Sequence, residues 1–329
     1  MRLAVTSFSF TNEWLARRYT LTQLLRRIAA LGRGTGIEVS GYQAWRSYPA
    51  LSRDDVHMFR RQVEELELEP VALGAYVDLL RRVDRAMTID EASEQLVAQV
   101  GTARELGFPL LKLHAGIPAA VLERGTAAAE HAGVILAVEI QGGQTPFDPA
   151  AAAVIECRER LGSPNLALTL DFSVAMASIP EGFADAVRRA GMASEQLERV
   201  VELWQQGATT PELFAALAAT GAPAAALDEA RAGFVRFGRQ EPEAWLPLVP
   251  QIGYAHAKFW ELDDAGDEPT VRNAELISVL RDGGYTGVVA SEWGGNAWAE
   301  ADDVDAFELT GRHLGLLRSL IENPAAVPA

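Results

Sequence analysis

A chain of 329 residues, 49% hydrophobic and 22% charged, has the composition of a globular protein with a full core. It holds no run of about eighteen apolar residues, which excludes a membrane-spanning helix on sequence grounds. A formal net charge of −16, with basic residues scattered in short pairs such as Arg81-Arg82, repels phosphate backbones and anionic lipid and argues against nucleic-acid and membrane-surface partners.

The opening MRLAVTSFSFTNEW has one basic residue and a short apolar run before polar residues, so it reads as a strand over 3–8 and not as a secretory leader. A helical pattern over 20–31 leads to an apolar run at 36–39. Ser52, three positions before Asp55, is a capping signature for a helix over 53–66, and 70–74 is the next apolar run. Thr88, three before Glu91, opens a helix over 89–106 that Gly107 closes. Strand patterns follow at 109–114, 134–140 and 166–172, separated by helical patterns at 118–132 and 149–161. The lone Cys157 sits in the second of these helices; it reads as a buried thiol, leaves no intramolecular disulfide and fits a reducing cytoplasm. Residues 178–248 have room for three or four helices, readable as a long crossover or as a lid or docking surface. Strand patterns at 252–256 and 287–292 alternate with helical ones at 271–281 and 304–321.

Several of these runs are continuously apolar, as parallel strands covered on both faces are. Eight of them alternating with helices predict an α/β fold, the (β/α)₈ TIM barrel, as one domain over 1–329 with a helical insertion at about 178–248 between strands six and seven. The alternative, an open doubly wound sheet, lacks a glycine-rich phosphate loop after the first strand.

Active sites of such barrels form at the C-terminal ends of the strands. Polar residues there are Glu38, His114, Glu139, Asp171, His256 and Glu292. Carboxylates closing apolar strands are costly to bury unpaired, and a shared cation offsets that cost. Carboxylates with one imidazole make a hard, oxygen-rich set that suits Mn²⁺ or Mg²⁺ better than a closed tetrahedral zinc site. His57, His131 and His313 fall within helical patterns and read as surface or packing residues. His256 stands in the row of acids and reads as a ligand, whereas His114 is open between a core and a catalytic role. Aromatic residues cluster at or beyond the strand ends, among them Tyr76, Trp45, Trp260, Trp293 and Trp298, either stacking on a sugar or flat ring or roofing the barrel.

The segments GIEVSG, VEI with Glu139, LTLDFS with Asp171, YAHAKFWE with His256 and YTGVVASEWGG with Glu292 together resemble the xylose-isomerase-like TIM barrels of the sugar phosphate isomerase/epimerase superfamily over nearly the whole chain. The resemblance implies one divalent ion on Glu139, Asp171, His256 and Glu292, Mn²⁺ first with Mg²⁺, Co²⁺ and Zn²⁺ also compatible, and proton transfer by Glu139 and Glu292. Val174 stands where many epimerases of the family carry a second histidine, and the basic substrate-gripping residue after strand seven is matched only by nearby Lys258. The forms HAKFWE and SEWGG, with the long crossover, look like the α subunits of bacterial C-glycoside deglycosidases. Those pair with a small β subunit and act on 3-oxo-glycosides, eliminating the aglycone after loss of a proton next to the ketone. This branch implies a lyase acting on a keto-sugar glycoside; by their positions at or near the strand ends, His114 reads as a further proton carrier, with a metal-bound water as the alternative, and Glu38, Trp45, Lys258, Trp260 and Trp293 as substrate contacts, and a homo-oligomer is also compatible. The alternatives are a sugar (phosphate) isomerase or epimerase and, more remotely, a non-catalytic barrel whose acids pair with arginines.

Overall fold

A computed structural model describes residues 1–32, 35–299 and 304–323. Eight parallel strands, in chain order, close into a barrel: β1 Arg2–Thr6, β2 Gly36–Ser40, β3 Glu69–Gly74, β4 Leu110–His114, β5 Ile135–Ile140, β6 Leu166–Asp171, β7 Ile252–Phe259 and β8 Val288–Trp293. Closure is made where β1 pairs with β8, Arg2 opposite Val288. The predicted (β/α)₈ barrel is therefore the fold. Both expected capping boxes are present, Ser52 with Asp55 and Thr88 with Glu91. No described helix is long and apolar enough to cross a membrane.

Two strand ends differ from expectation for local reasons. The first strand stops at Thr6, whose hydroxyl accepts the Phe8 amide at 3.2 Å and turns the chain into a 3₁₀ segment, Ser7–Phe10. The seventh runs on to Phe259, because Lys258 stays in register with Glu292 of β8 and pairs with it. A charged residue that looks like the start of a loop is here the last inward residue of a strand.

Alternation along the strands divides the barrel interior into two levels. The lower one is apolar and built largely of small residues, including Ala4, Ala72, Ala137, Ala167, Val288 and Ala290, with Tyr254 filling the centre. On β5, β7 and β8 the next inward residue is polar: Glu139 above Ala137, His256 above Tyr254, Glu292 above Ala290. Pairing register sets them side by side, with His114 opposite Glu139, Asp171 opposite His256 and Lys258 opposite Glu292.

Between β6 and β7 the chain forms four helices, Glu181–Arg189, Ser194–Gln205, Thr210–Ala219 and Ala224–Phe234. Its return to the barrel is pinned by backbone contacts. The Gly238 amide donates to Ser173 O at 2.8 Å, its carbonyl accepts from Met176 at 3.0 Å, and the Gly143 amide donates to Val235 O at 3.3 Å. A Cβ on Gly238 would lie 2.2 Å from Gly142 O and 2.4 Å from Val174 O, so only glycine lets these segments approach. Val235 and Arg236 are thereby held over the barrel mouth.

His313 is a packing residue, as its helical position suggests. It is buried on the helix Ala306–Glu322, shares a 2.8 Å hydrogen bond with Ser291 Oγ and stacks on Phe259 at 4.1 Å. Burial lowers its pKa from 6.5 to about 3.

Two outcomes follow from this packing. Gly238→Ala should lower stability by about 2 kcal/mol, read as a fall in the urea midpoint at constant slope. Because His313 stays neutral in the fold while the unfolded chain takes up a proton, its contribution is present above the unfolded pKa and is lost as pH falls from about 6.5 towards about 3. His313→Asn should flatten the decline of unfolding free energy across that window, and an unchanged slope would refute this titration.

Candidate active site

Glu139, Asp171, His256 and Glu292, from the ends of β5 to β8, are all buried. Each offers one ligand atom, and these atoms lie within 4.8 Å of one another. His256 organises the group. Its Nε2 is 2.6 Å from Glu38 Oε2, while its Nδ1 is 2.7 Å from Glu139, 3.0 Å from Glu292 and 3.8 Å from Asp171. With Nε2–H donating to Glu38, Nδ1 is left as an acceptor facing three carboxylates.

Two lysines enter from the same strands. Lys112 donates to Glu139 at 2.9 Å and lies 4.0 Å from Glu38; Lys258 donates to Glu292 at 2.6 Å and lies 3.1 Å from Asp171. Burial works against both charges, but Glu139 and Glu38 around Lys112, and Asp171 and Glu292 around Lys258, outweigh it and raise both pKa values. Burial likewise opposes ionisation of Glu139 and Glu292. Lys112 and His256 for the first, and His256 and Lys258 for the second, hold them below the usual carboxylate range.

The same groups act on the imidazole. Burial lowers the His256 pKa, yet Glu292, Glu38 and Glu139 together raise it well above the ordinary value. Positive charge belongs at this point, as a proton on Nδ1 or a metal ion in its place. Two observations favour the ion. His256 Nδ1 and Asp171 Oδ2 are buried and make no hydrogen bond. Four carboxylates against two ammonium groups also leave two negative charges, the complement of one divalent cation. The residues present fit such an ion.

His114 stands beside this floor. Its ring stacks on Tyr76 at 4.7 Å, and its Nδ1 lies 3.1 Å from the Gln141 amide and 3.3 Å from Glu139. Its Nε2 has no hydrogen-bond partner. Burial first, then the charge of Lys112, lowers its pKa from 6.5 to about 4, so it is a neutral base at ordinary pH. A small cavity of about 50 Å³, lined by Glu38, Lys112, Glu139 and Glu292 among others, shares Phe8, His114, Gln141 and Lys258 with an outer chamber of about 550 Å³. Trp260, Ser173 and Arg236 stand in the chamber wall.

The structure thus brings together the four expected ligands, with His114 and Lys258 beside them, Glu38 behind His256 and Trp260 in the wall. Two expected substrate contacts are not brought there. Trp45 is 8% exposed and packs edge-on against Phe59 at 5.4 Å, because the turn Gly41–Ala44 carries it outside the barrel. Trp293 follows inward-facing Glu292 and so takes the opposite face of β8; its ring N–H donates to Trp260 O at 3.1 Å and supports that residue from behind. Lys112 was missed by reading only strand termini. The alternation in LLKLH puts it on the same face as His114, and that period was the available signal. Arg236 was missed because no local pattern links the end of the crossover to the barrel mouth.

No family model matches the chain. It is 32% identical to the 3'-dehydrocarminate deglycosidase alpha subunit of Microbacterium sp., over 97% of this chain and 95% of that protein. It is 33% identical to a C-glycoside deglycosidase alpha subunit of Arthrobacter globiformis, over 91% of this chain and 86% of that one. Among solved structures it resembles the D-allulose 3-epimerase of Methylomonas sp., with a TM-score of 0.57 and 15% identity over 97% of this chain and 98% of that one. An L-ribulose 3-epimerase gives a TM-score of 0.57 and 16% identity over 98% and 95%. At these identities the structural likeness concerns the fold.

The charge balance around His256 carries a direct expectation. Mn²⁺ should raise the melting temperature of chelator-treated protein, and Glu38→Gln, which loosens the imidazole without removing a ligand, should weaken Mn²⁺ binding about 10–100-fold in a calorimetric titration. A protein whose melting ignores divalent ions would contradict the fit.

Proposed function

The chain belongs to the family of C-glycoside deglycosidase α subunits, and from that premise we propose that it is an enzyme releasing the aglycone of a 3-oxo-C-glycoside by elimination. The observation that carries the reading is identity above 30% along nearly the whole chain, in a protein whose four strand-end candidate ligands lie within 4.8 Å of one another.

Glu139, Asp171, His256 and Glu292 would hold one divalent ion, Mn²⁺ with Mg²⁺, Co²⁺ and Zn²⁺ as alternatives. Bound there, it would supply Lewis-acid stabilisation of negative charge developing on a sugar oxygen. The residues of the chain do the rest. Lys112 and His256 around Glu139, and His256 and Lys258 around Glu292, hold both carboxyls below the usual range, so these would serve as ligands and not as acids. In the neutral tautomer whose Nδ1–H points to Glu139, 3.3 Å away, His114 carries its lone pair on the unpartnered Nε2 and, beside the inner cavity, takes the proton from the carbon between the ketone and the anomeric centre. Collapse of the enolate re-forms the ketone, makes a double bond to the anomeric carbon and breaks the bond from that carbon to the aglycone. The electron pair of the broken bond goes to the aglycone carbon, which receives the proton from His114. A depressed pKa makes the His114 imidazolium a strong donor for that second transfer.

The relatives are named as α subunits, and we include a small β subunit in the proposed active form, acting in the cytoplasm. A second reading, isomerisation or epimerisation of a free keto-sugar, draws on the epimerase neighbours.

The assay is release of aglycone from a 3-oxo-C-glycoside, followed by chromatography, with the β subunit co-expressed. Glu292→Gln and His256→Ala should each lower turnover at least about 10³-fold. His114→Gln should lower it about 10²–10⁴-fold while leaving Mn²⁺ binding intact. Deuterium uptake from solvent into a free ketose, with no aglycone released, would decide for epimerisation instead.

A further inference from the structure

We infer that Arg236 makes the outer chamber an anion-selecting subsite, fitted to a flat aromatic group that bears a carboxylate or an ionised phenol. Calling that group the aglycone rests on the deglycosidase reading; the selection for an anion rests on the chamber alone.

The chamber, at about 550 Å³, has the size of a site for a multi-ring ligand. Its charge is unusual for this chain, in which 45 acidic residues outnumber 29 basic ones. Among the described residues no carboxylate lines it, and its cations are Lys258 and Arg236. The Lys258 charge is committed to Glu292 and Asp171. Arg236 forms no salt bridge among the described residues; its guanidinium lies 5.8 Å from the Trp298 ring, exposed at the rim. The walls desolvate it enough to lower its pKa, with Glu229 tempering the effect from a distance. An anion entering the chamber would meet a cation that no carboxylate among the described residues pairs with in a salt bridge.

The rest of the lining suits a planar group. Phe8 and Trp260 stand in the wall, each with its ring centroid 5.8 Å from Lys258 Nζ, and Trp298 supports Trp260 at 5.1 Å. Ring faces at a cavity wall accept flat ligands. Arg236 is held in place by its backbone. Gly142, at φ 56°, lets the crossover approach so closely that a Cβ there would lie 2.4 Å from Val235 O and 2.9 Å from Arg236 Cα. The backbone from which the cation projects is therefore set by the docking of the crossover on the loop after β5, and the side chain carries the guanidinium over the Trp298 ring.

The test compares anthraquinone-2-carboxylate with its uncharged carboxamide, binding to the full chain and read by quenching of tryptophan fluorescence. Wild type should prefer the acid about two- to fivefold, the range for a charge contact at an exposed site. Arg236→Gln should bring the ratio to about one with amide binding unchanged, and Arg236→Lys should restore part of it. Equal affinities in wild type, a preference that survives in Arg236→Gln, or no binding of either compound would overturn the inference. The outcome is separable from the functional reading: acid preference in a protein that releases no aglycone would sink the deglycosidase reading alone, and release without acid preference would sink this inference alone.

Discussion

One buried imidazole among four carboxylates is the constraint around which the barrel is arranged. Glu38 holds one face of His256 and three further acids crowd the other, all out of water. Ionised carboxylates cannot be gathered at such depth without compensating charge. Lys112 and Lys258 supply part of it from inside the strands, and a divalent cation matches the remainder. Each partner sits where strand alternation places a side chain inward, so the electrostatic requirement and the barrel geometry are met by the same residues.

That requirement also explains the level beneath. Small residues at Ala4, Ala72, Ala137, Ala167 and Ala290 let the barrel close tightly around Tyr254, giving the polar layer a dry floor. In a low-dielectric setting the lysine–carboxylate contacts raise the pKa of both lysines and, with His256, lower those of Glu139 and Glu292. The crossover then completes the mouth from outside the repeat. Its glycine-to-backbone docking at Gly142 and Gly238 costs side chains at those positions and gains a fixed edge, from which Arg236 faces the chamber.

How much of this could be read from the sequence depended on the range of the interaction responsible. The strands were legible because burial on both faces makes them continuous apolar runs, and the four ligands because a charge ending such a run stands out. Their convergence also follows from the barrel, since C-terminal strand ends meet at one face. Lys112 was hidden one alternation inside its strand, where it looks like an interruption. Trp45 and Trp293 were misplaced because which face an aromatic takes near a strand end depends on a turn or a register, not on proximity in sequence. Arg236 was illegible for a deeper reason: its place depends on two glycines, nearly a hundred positions apart in sequence, meeting backbone to backbone.

The division of charge between the two adjoining cavities gives the site a direction. Its floor is acidic and fits a cation with the oxygens of a sugar; its outer chamber has no carboxylate lining among the described residues and carries a cation at its rim. A substrate with a hydroxyl-rich end and a flat anionic end has one favourable orientation in such a field, and reversal would set anion against carboxylate. The residues common to both cavities are Phe8, His114, Gln141 and Lys258, so the bond joining sugar to aglycone would lie at their level. His114 is the one group there that is neutral, unpaired at Nε2 and tethered through Nδ1. In the proposed reaction a proton taken from the sugar side at Nε2 would be returned to the aglycone side by the same nitrogen, so the placement of charge and the placement of the base would serve the same step.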